Sequence, residues 1–342
     1  MRTVRFREHG GPEVIEVADV PDLRAGPGQV VMEVRAISLN HLDLWMRRGL
    51  PGMKVSFPHV PGSDAAGVVR EVGPGVSRVK PGDRVVFYPV AGCGRCPWCL
   101  AGEVNACEEM RIAGEQAPGF ASELALAQEE DALAIPEGLS FEEASVAPVA
   151  YLTAWRMLAE RAALRAGEWV LVLGAASGVG VAAVQMAKCL GAQVIAAAGS
   201  EKKLEKAREL GADHLIDYRK EPLPRRARQL TGGRGVDVVF EHVGQAVWEG
   251  CLKSLARMGR LVTCGATSGP SGPTPIPLVF FKHLSILGST MGSRRQLAEV
   301  LELMGRGAVK AVIGRTLPLA ETRRAHELLE ARGVVGKLVL VP

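Results

Sequence analysis

Asparagine is almost missing from this chain: Asn40 and Asn105 are the only two among its 342 residues. With plentiful arginine, that is a composition seen in heat-adapted proteins. A concentrated basic stretch is also missing. The formal charge of +4 is spread along the chain, and nucleic-acid binders normally carry a clustered basic face. Residues Met1–Arg7 carry charges where a signal peptide needs an apolar core, so a cytoplasmic protein is expected. Residues 169 to 187 hold no charge, yet Gly174, Gly178 and Gly180 interrupt the run, which fits a buried strand and helix better than a membrane span. No internal repeat, low-complexity tract or long linker appears. Nucleic acid and membrane are thus excluded as expected partners, and small-molecule chemistry remains.

Four of the seven cysteines are concentrated in one loop. Cys93, Cys96, Cys99 and Cys107 follow the spacing Cys-x2-Cys-x2-Cys-x7-Cys. Four thiolates so placed can surround one tetrahedral zinc and leave no coordination position open, which makes the site structural. Two disulfides are the rival arrangement, but paired bonds do not require three cysteines at three-residue steps, and nothing marks the chain as secreted. The metal therefore braces a lobe at about residues 91–111 and does no chemistry. Cys189, Cys251 and Cys264 stand apart and read as small core residues.

The length exceeds what one hydrophobic core usually supports, and 47% hydrophobic residues suffice for two. A cleft between two domains is expected. Short apolar runs at 14–17, 30–37, 65–72 and 83–87, punctuated by glycine and proline, predict an antiparallel β domain. Residues 40–48 have helical character. Ser140 and Glu143 form a capping box ahead of a helical stretch through Ala163. Six strand candidates then alternate with helices, at 169–173, 194–198, 214–216, 236–240, 260–264 and 284–287. That rhythm predicts a doubly wound α/β domain with a six-stranded parallel sheet over 151–290. Helices at 294–304 and 321–331 and a strand at 337–341 return the chain to the first domain, which comprises 1–150 and 291–342.

Gly174-Ala175-Ala176-Ser177-Gly178-Val179-Gly180 separates the first parallel strand from its helix. Small residues there let the backbone approach a diphosphate at the helix N-terminus, and the strand-turn-helix context makes dinucleotide binding the reading. The second strand ends at Ala198, where an NAD-specific domain usually offers a carboxylate to the ribose. Ser200 and Lys203, with Tyr218 and Arg219 at the next strand end, can bind a 2′-phosphate there, so NADP(H) is favoured over NAD(H). Glu201 argues the other way, and Ser200 can instead simply cap a helix. Val243, Gly265 and Ala266 follow later strands, where such folds place their ligands.

These motifs, with Pro61–Val69 and Lys80–Val85, resemble the medium-chain dehydrogenase/reductase superfamily along essentially the whole chain, in its zinc-type alcohol dehydrogenase and quinone oxidoreductase branch. The resemblance implies a GroES-like catalytic domain, a Rossmann domain with the nicotinamide between the two, and a homodimer or homotetramer. It also implies nicotinamide contact at Thr153 and cofactor-phosphate contact at His41. The zinc-type members hold a second, catalytic metal, and here the pattern breaks. Asn40 takes the first cysteine's place, Ser63 and Asp64 replace a histidine and glutamate, and Val149 falls where the last cysteine belongs. Leu42 replaces the hydroxyl of the proton relay. An unorthodox metal site from His41, His59 and Asp64 is the alternative.

Without that zinc, alcohol oxidation loses the Lewis acid that eases proton loss. Zinc-independent quinone and enone reductases carry an Asn-x-x-Asp like Asn40 to Asp43. The leading expectation is therefore an NADPH-dependent reductase of a quinone, enone or related carbonyl. Asn40 and Tyr151 would donate to the developing oxyanion, with Asp43 and Asp64 orienting them. Asn40 can equally cap the helix that begins there, and Tyr151 can be a core aromatic with a satisfied hydroxyl. The alternatives are a zinc-containing alcohol dehydrogenase and a non-catalytic nucleotide-binding redox sensor.

Overall fold

The structure is a computed structural model that describes residues 1–50, 52–53 and 55–342. The chain divides into two compact units, one of residues 1–150, 292–307 and 311–342, the other of residues 151–291 and 308–310. Each has its own apolar core.

The first unit is built on a seven-stranded sheet. Its order is Ile313–Pro318, Lys337–Val341, Gln29–Ser38, Asp64–Val72, Arg84–Phe87 and Ala132–Ala134, with Leu124–Gln128 also pairing to Gln29–Ser38. All pairings are antiparallel except that of the first two strands. Val30, Met32 and Val34 point into one core with Val69, Val85 and Leu340, and Val31, Ala36 and Ile37 on the same strand are buried as well. The register decides what meets at one end of this sheet. Ser38 lies opposite Asp64 on one side and Val339 on the other, so the chain just past Ser38 runs beside Lys337. The cysteine loop is bracketed by the short antiparallel pair Val90–Ala91 and Arg111–Ile112.

Six strands of this unit, Arg2–Arg5, Val90–Ala91, Arg111–Ile112, Leu124–Gln128, Ala132–Ala134 and Ile313–Pro318, carry no signal that the sequence reading used. The strand expected at 14–17 instead spans Glu16–Asp19, because Pro12 opens a 3-10 turn over Pro12–Val14. Proline suits the first position of such a turn, where no amide hydrogen is needed.

The second unit holds the six-stranded parallel sheet, in the order His214–Asp217, Gln193–Ala198, Trp169–Leu173, Val236–Glu241, Leu255–Thr263 and Ser285–Gly288. The order reverses between Trp169–Leu173 and Val236–Glu241, and ligands of such sheets bind at the carboxyl ends of strands flanking this switch. Leu255–Thr263 starts five residues earlier than the pattern indicated. Met258 takes a left-handed φ of 62° within it, and its partner register shifts between Val236 and Val238, which breaks the alternation. No helix among the described residues is long and apolar enough to cross a membrane.

Candidate functional site

The sulfur atoms of Cys93, Cys96, Cys99 and Cys107 all lie within 4.8 Å of one another. The thiols are unpaired, so the disulfide alternative is not what the loop forms. Backbone amides serve them in sequence: Cys96 N–H points at the sulfur of Cys93, Cys99 N–H at that of Cys96, and Cys93 N–H at that of Cys107, each at 3.4 Å. Amide donors favour thiolate over thiol, and those of Arg95 and Cys96 pull the Cys93 thiol down to about 7. Burial instead pushes the Cys99 thiol up to about 12; the four sulfurs together fit a structural zinc and leave no open coordination position.

In the second unit, Gly174 has a φ of 54° and Ser177 caps the helix Gly178–Cys189, its hydroxyl oxygen accepting from Gly180 N–H at 3.0 Å. A side chain at Gly180 would stand 2.2 Å from the Gly174 carbonyl oxygen, so the turn closes only with glycine there. Gly178 and Val179 supply first-turn amides without helical partners, the group of donors that receives a diphosphate. Beside this turn, Ser268 N–H and its hydroxyl both donate to the Val243 carbonyl at 2.7 Å, and Gly265 and Ala266 follow the adjoining strand. Thr153 is buried on the short helix Leu152–Trp155.

At the end of the second Rossmann strand, Ala198 is buried and offers no acid. The Tyr218 hydroxyl and the Arg219 Nε fold over this end, within 3.0 Å of where a side chain at Gly199 would begin. Ser200 occupies the N-cap position of Glu201–Glu209, yet its side chain makes no capping bond, so the capping use is not realised. Lys203 lies one turn on, half-buried.

The remaining residues meet in a buried polar cluster of the first unit. Asn40 Nδ2 donates to Asp64 Oδ2 at 2.9 Å and to the Ser38 carbonyl at 3.4 Å. Its side-chain oxygen accepts from Lys337 Nζ. That ammonium is also 3.2 Å from Asp64 Oδ2, with side-chain exposures of 3% and 0%. Ser38 Oγ donates to the same carboxylate oxygen at 3.1 Å, while Asp64 Oδ1 is buried with no hydrogen-bond partner among the described residues. The helix His41–Arg48 is capped from the other direction, because Asp43 Oδ2 accepts from Asn40 N–H at 2.7 Å and Oδ1 from Gly62 N–H at 2.9 Å. Asn40 thus stands at the N-cap of this helix in a capping box with Asp43, and its side chain is also tied to Asp64 and Lys337.

Burial sets the electrostatics of this cluster. It pushes the Asp43 carboxyl up to about 6, against the pull of the Asn40 and Gly62 amides. Asp64 is likewise raised and Lys337 lowered by burial, each shift opposed by the attraction between them. His41 falls to about 4 through burial and the nearby cations Arg332, Lys337 and Arg48, so its imidazole is neutral at physiological pH. His59 does not join the cluster; its Nε2 is 3.0 Å from the Gly114 carbonyl oxygen. Among the described residues the cysteine quartet is the one group of three or more metal-ligating side chains. Tyr151 is fully buried, and its hydroxyl donates to the Lys310 carbonyl at 3.0 Å. Its place is that of a core aromatic with a satisfied hydroxyl, which corrects the reading of it as proton donor.

Lys337 is the residue that sequence reasoning missed. Its signal was one charge opening an otherwise apolar strand, directly after Gly336, and only the strand register turns that charge inward. His242 was also overlooked; its ring packs against Gly174.

Residues 26–137 match the family described as alcohol dehydrogenase GroES-like domain, and residues 178–306 match that described as zinc-binding dehydrogenase. A quinone oxidoreductase of Pseudomonas aeruginosa is 35% identical over 100% of this chain and 99% of its own. A solved NAD-dependent alcohol dehydrogenase superposes with a TM-score of 0.97 at 47% identity, covering 100% of both chains. The NADPH complex of Escherichia coli quinone oxidoreductase superposes at 0.85 with 31% identity, again over 100% of both.

Proposed function

The chain belongs to the medium-chain dehydrogenase/reductase superfamily, in the zinc-type alcohol dehydrogenase and quinone oxidoreductase branch, and from that premise we propose that it is an NADPH-dependent reductase of quinones, enones or related carbonyls. One observation carries this reading: a lysine ammonium, a carboxylate and an amide form a buried cluster at Asn40 and Asp64, the positions where the family resemblance implies catalytic-metal ligands. A catalytic zinc needs three protein ligands and an open position, and a fixed ammonium beside Asp64 repels a second cation. When bound, the nicotinamide dinucleotide supplies a hydride to an electron-poor carbon. The chain's own task is then to stabilise negative charge on the substrate oxygen, and one well-aimed donor is worth about 2.7–4 kcal/mol in such a role. Lys337 supplies the positive charge of the cluster and fixes the Asn40 amide. Asp64 holds both in place, and His41 offers a neutral N–H donor.

Preference for NADPH is supported by the missing acid at Ala198, the uncommitted Ser200 side chain, and Tyr218 and Arg219 over the strand end. The test is a substrate screen with both cofactors and a metal count. One zinc per chain, turnover of quinones or enones, and a kcat/KM about tenfold higher with NADPH are expected. A tenfold preference for NADH would overturn the cofactor assignment. The second reading, a zinc-dependent alcohol dehydrogenase, is favoured by the 47% identity to a solved NAD-dependent alcohol dehydrogenase. Two tightly held zincs with steady oxidation of simple alcohols would establish it instead.

The proposal extends to assembly as a homodimer. The edge strand Ser285–Gly288 has one unpaired side, and Ile276, Phe281 and Ile286 beside it in sequence are 71%, 66% and 40% exposed. An identical strand from a second copy can pair with such an edge across a two-fold axis. Ile286→Lys is expected to shift the species seen by light scattering toward monomer. An unchanged mass would place the interface elsewhere.

A further inference from the structure

His242 follows the strand Val236–Glu241 directly, and its ring lies against the nucleotide turn. A methyl group built on Gly174 would sit 2.8 Å from the ring's Cε1 and 2.9 Å from its Nε2. That Nε2 is 3.0 Å from the Leu173 carbonyl oxygen and 3.4 Å from Ser177 Oγ. A carbonyl oxygen can only accept, so Nε2 carries a hydrogen whether the imidazole is neutral or charged. Toward Ser177 the same N–H is then a donor. Ser177 Oγ receives it on one side and Gly180 N–H, at 3.0 Å, on the other. A hydroxyl has two lone pairs and one hydrogen. With both lone pairs engaged, the direction of the hydrogen is fixed, and neither contact consumes it.

We infer that His242 is a positioning residue for the dinucleotide: it holds the Ser177 hydroxyl as a donor to the anionic diphosphate received at the N-terminus of Gly178–Cys189. The inference rests on the dinucleotide reading above. The neighbouring Glu241 carboxylate does not oppose it. Its oxygens are taken by Val243 N–H, Gly244 N–H and the Thr263 hydroxyl.

The test is fluorescence titration of the full chain with NADPH and with adenosine 2′-monophosphate, which lacks the diphosphate. His242→Leu removes the N–H donor, His242→Gln keeps one, and Ser177→Ala removes the hydroxyl. His242→Leu is expected to raise the NADPH Kd about tenfold, the scale of one charge-assisted hydrogen bond. The Kd for adenosine 2′-monophosphate should move less than about twofold, and His242→Gln should recover most of the loss. In a Ser177→Ala background His242→Leu should add less than about twofold, because the two act through one contact. Equal losses in the Leu and Gln variants, or a full tenfold effect without Ser177, overturn the inference. Should the Leu variant lose its fold, Ser177→Ala decides alone: unchanged NADPH affinity refutes it. A wild-type chain that binds no nicotinamide dinucleotide removes the cofactor reading itself, a result distinct from the other two.

Discussion

Replacing Lys337 by methionine tests the buried cluster most directly. The substitution keeps most of the apolar stem and deletes the ammonium, leaving the Asp64 carboxylate, itself without solvent exposure, with only Asn40 and Ser38 as donors. Breaking a buried pair from one side costs about 3–5 kcal/mol, because the remaining charge is left uncompensated. In a domain of this size each kcal/mol moves Tm by about 2–4 °C, so a loss near the lower bound lowers the Tm of the first unit by about 6–12 °C. The pH dependence has a definite sign. Burial already raises Asp64, and loss of Lys337 raises it further. A carboxyl whose folded pKa lies above its unfolded value favours the fold while protonated, and that contribution is lost as pH rises through the folded pKa. Lys337→Met should therefore cost more at pH 8 than at pH 5. Adding Asp64→Asn should restore much of the Tm while reductase activity stays low. Scanning calorimetry of Lys337→Met, Asp64→Asn and the double variant at the two pH values, with steady-state kinetics, measures all of this. A Lys337→Met penalty independent of pH and unchanged in the Asp64→Asn background would refute the reasoning, as would full activity in either variant.

Gly180→Ala should abolish dinucleotide binding, since its methyl group meets the Gly174 carbonyl oxygen at 2.2 Å; a Kd within about threefold of wild type would contradict the close-approach argument. Cys107→Ser should release the zinc and lower thermal stability, because structural sites contribute folding energy; mass spectrometry that still finds one bound zinc would count against the ligand set. His326, held near 3 by burial and by Arg47, accepts from that arginine through Nδ1 at 3.2 Å. Its folded pKa lies below the unfolded value, so the stability it lends is complete above about pH 6.5 and is lost as pH falls toward the folded pKa. The fall in Tm between pH 7.5 and 5.5 should be shallower in His326→Gln than in wild type, and identical slopes would exclude His326 as the cause.

Local signals and long-range placement divide cleanly in this chain. The cysteine spacing, the glycines at 174, 178 and 180 and the Ser140–Glu143 box each act within a few residues, so the sequence by itself determined the sulfur cage, the nucleotide turn and the helix start. The central strands of the parallel sheet were equally legible, because strands buried on both faces read as unbroken apolar runs. The short strand Arg2–Arg5 and the edge strand Ile313–Pro318 escaped, since mixed polar and apolar residues give no such run. The roles of single polar side chains were decided only by tertiary structure. Asn40 looked equally fit to cap a helix or to meet a substrate, and Tyr151 read more as a core aromatic than as a proton donor. Lys337 lies 273 residues from Asp64 along the chain, and its meeting with Asp64 and Asn40 follows from the pairing of three strands. A hydrogen bond is directional and short-ranged, so its partner is fixed by register rather than by neighbours in sequence.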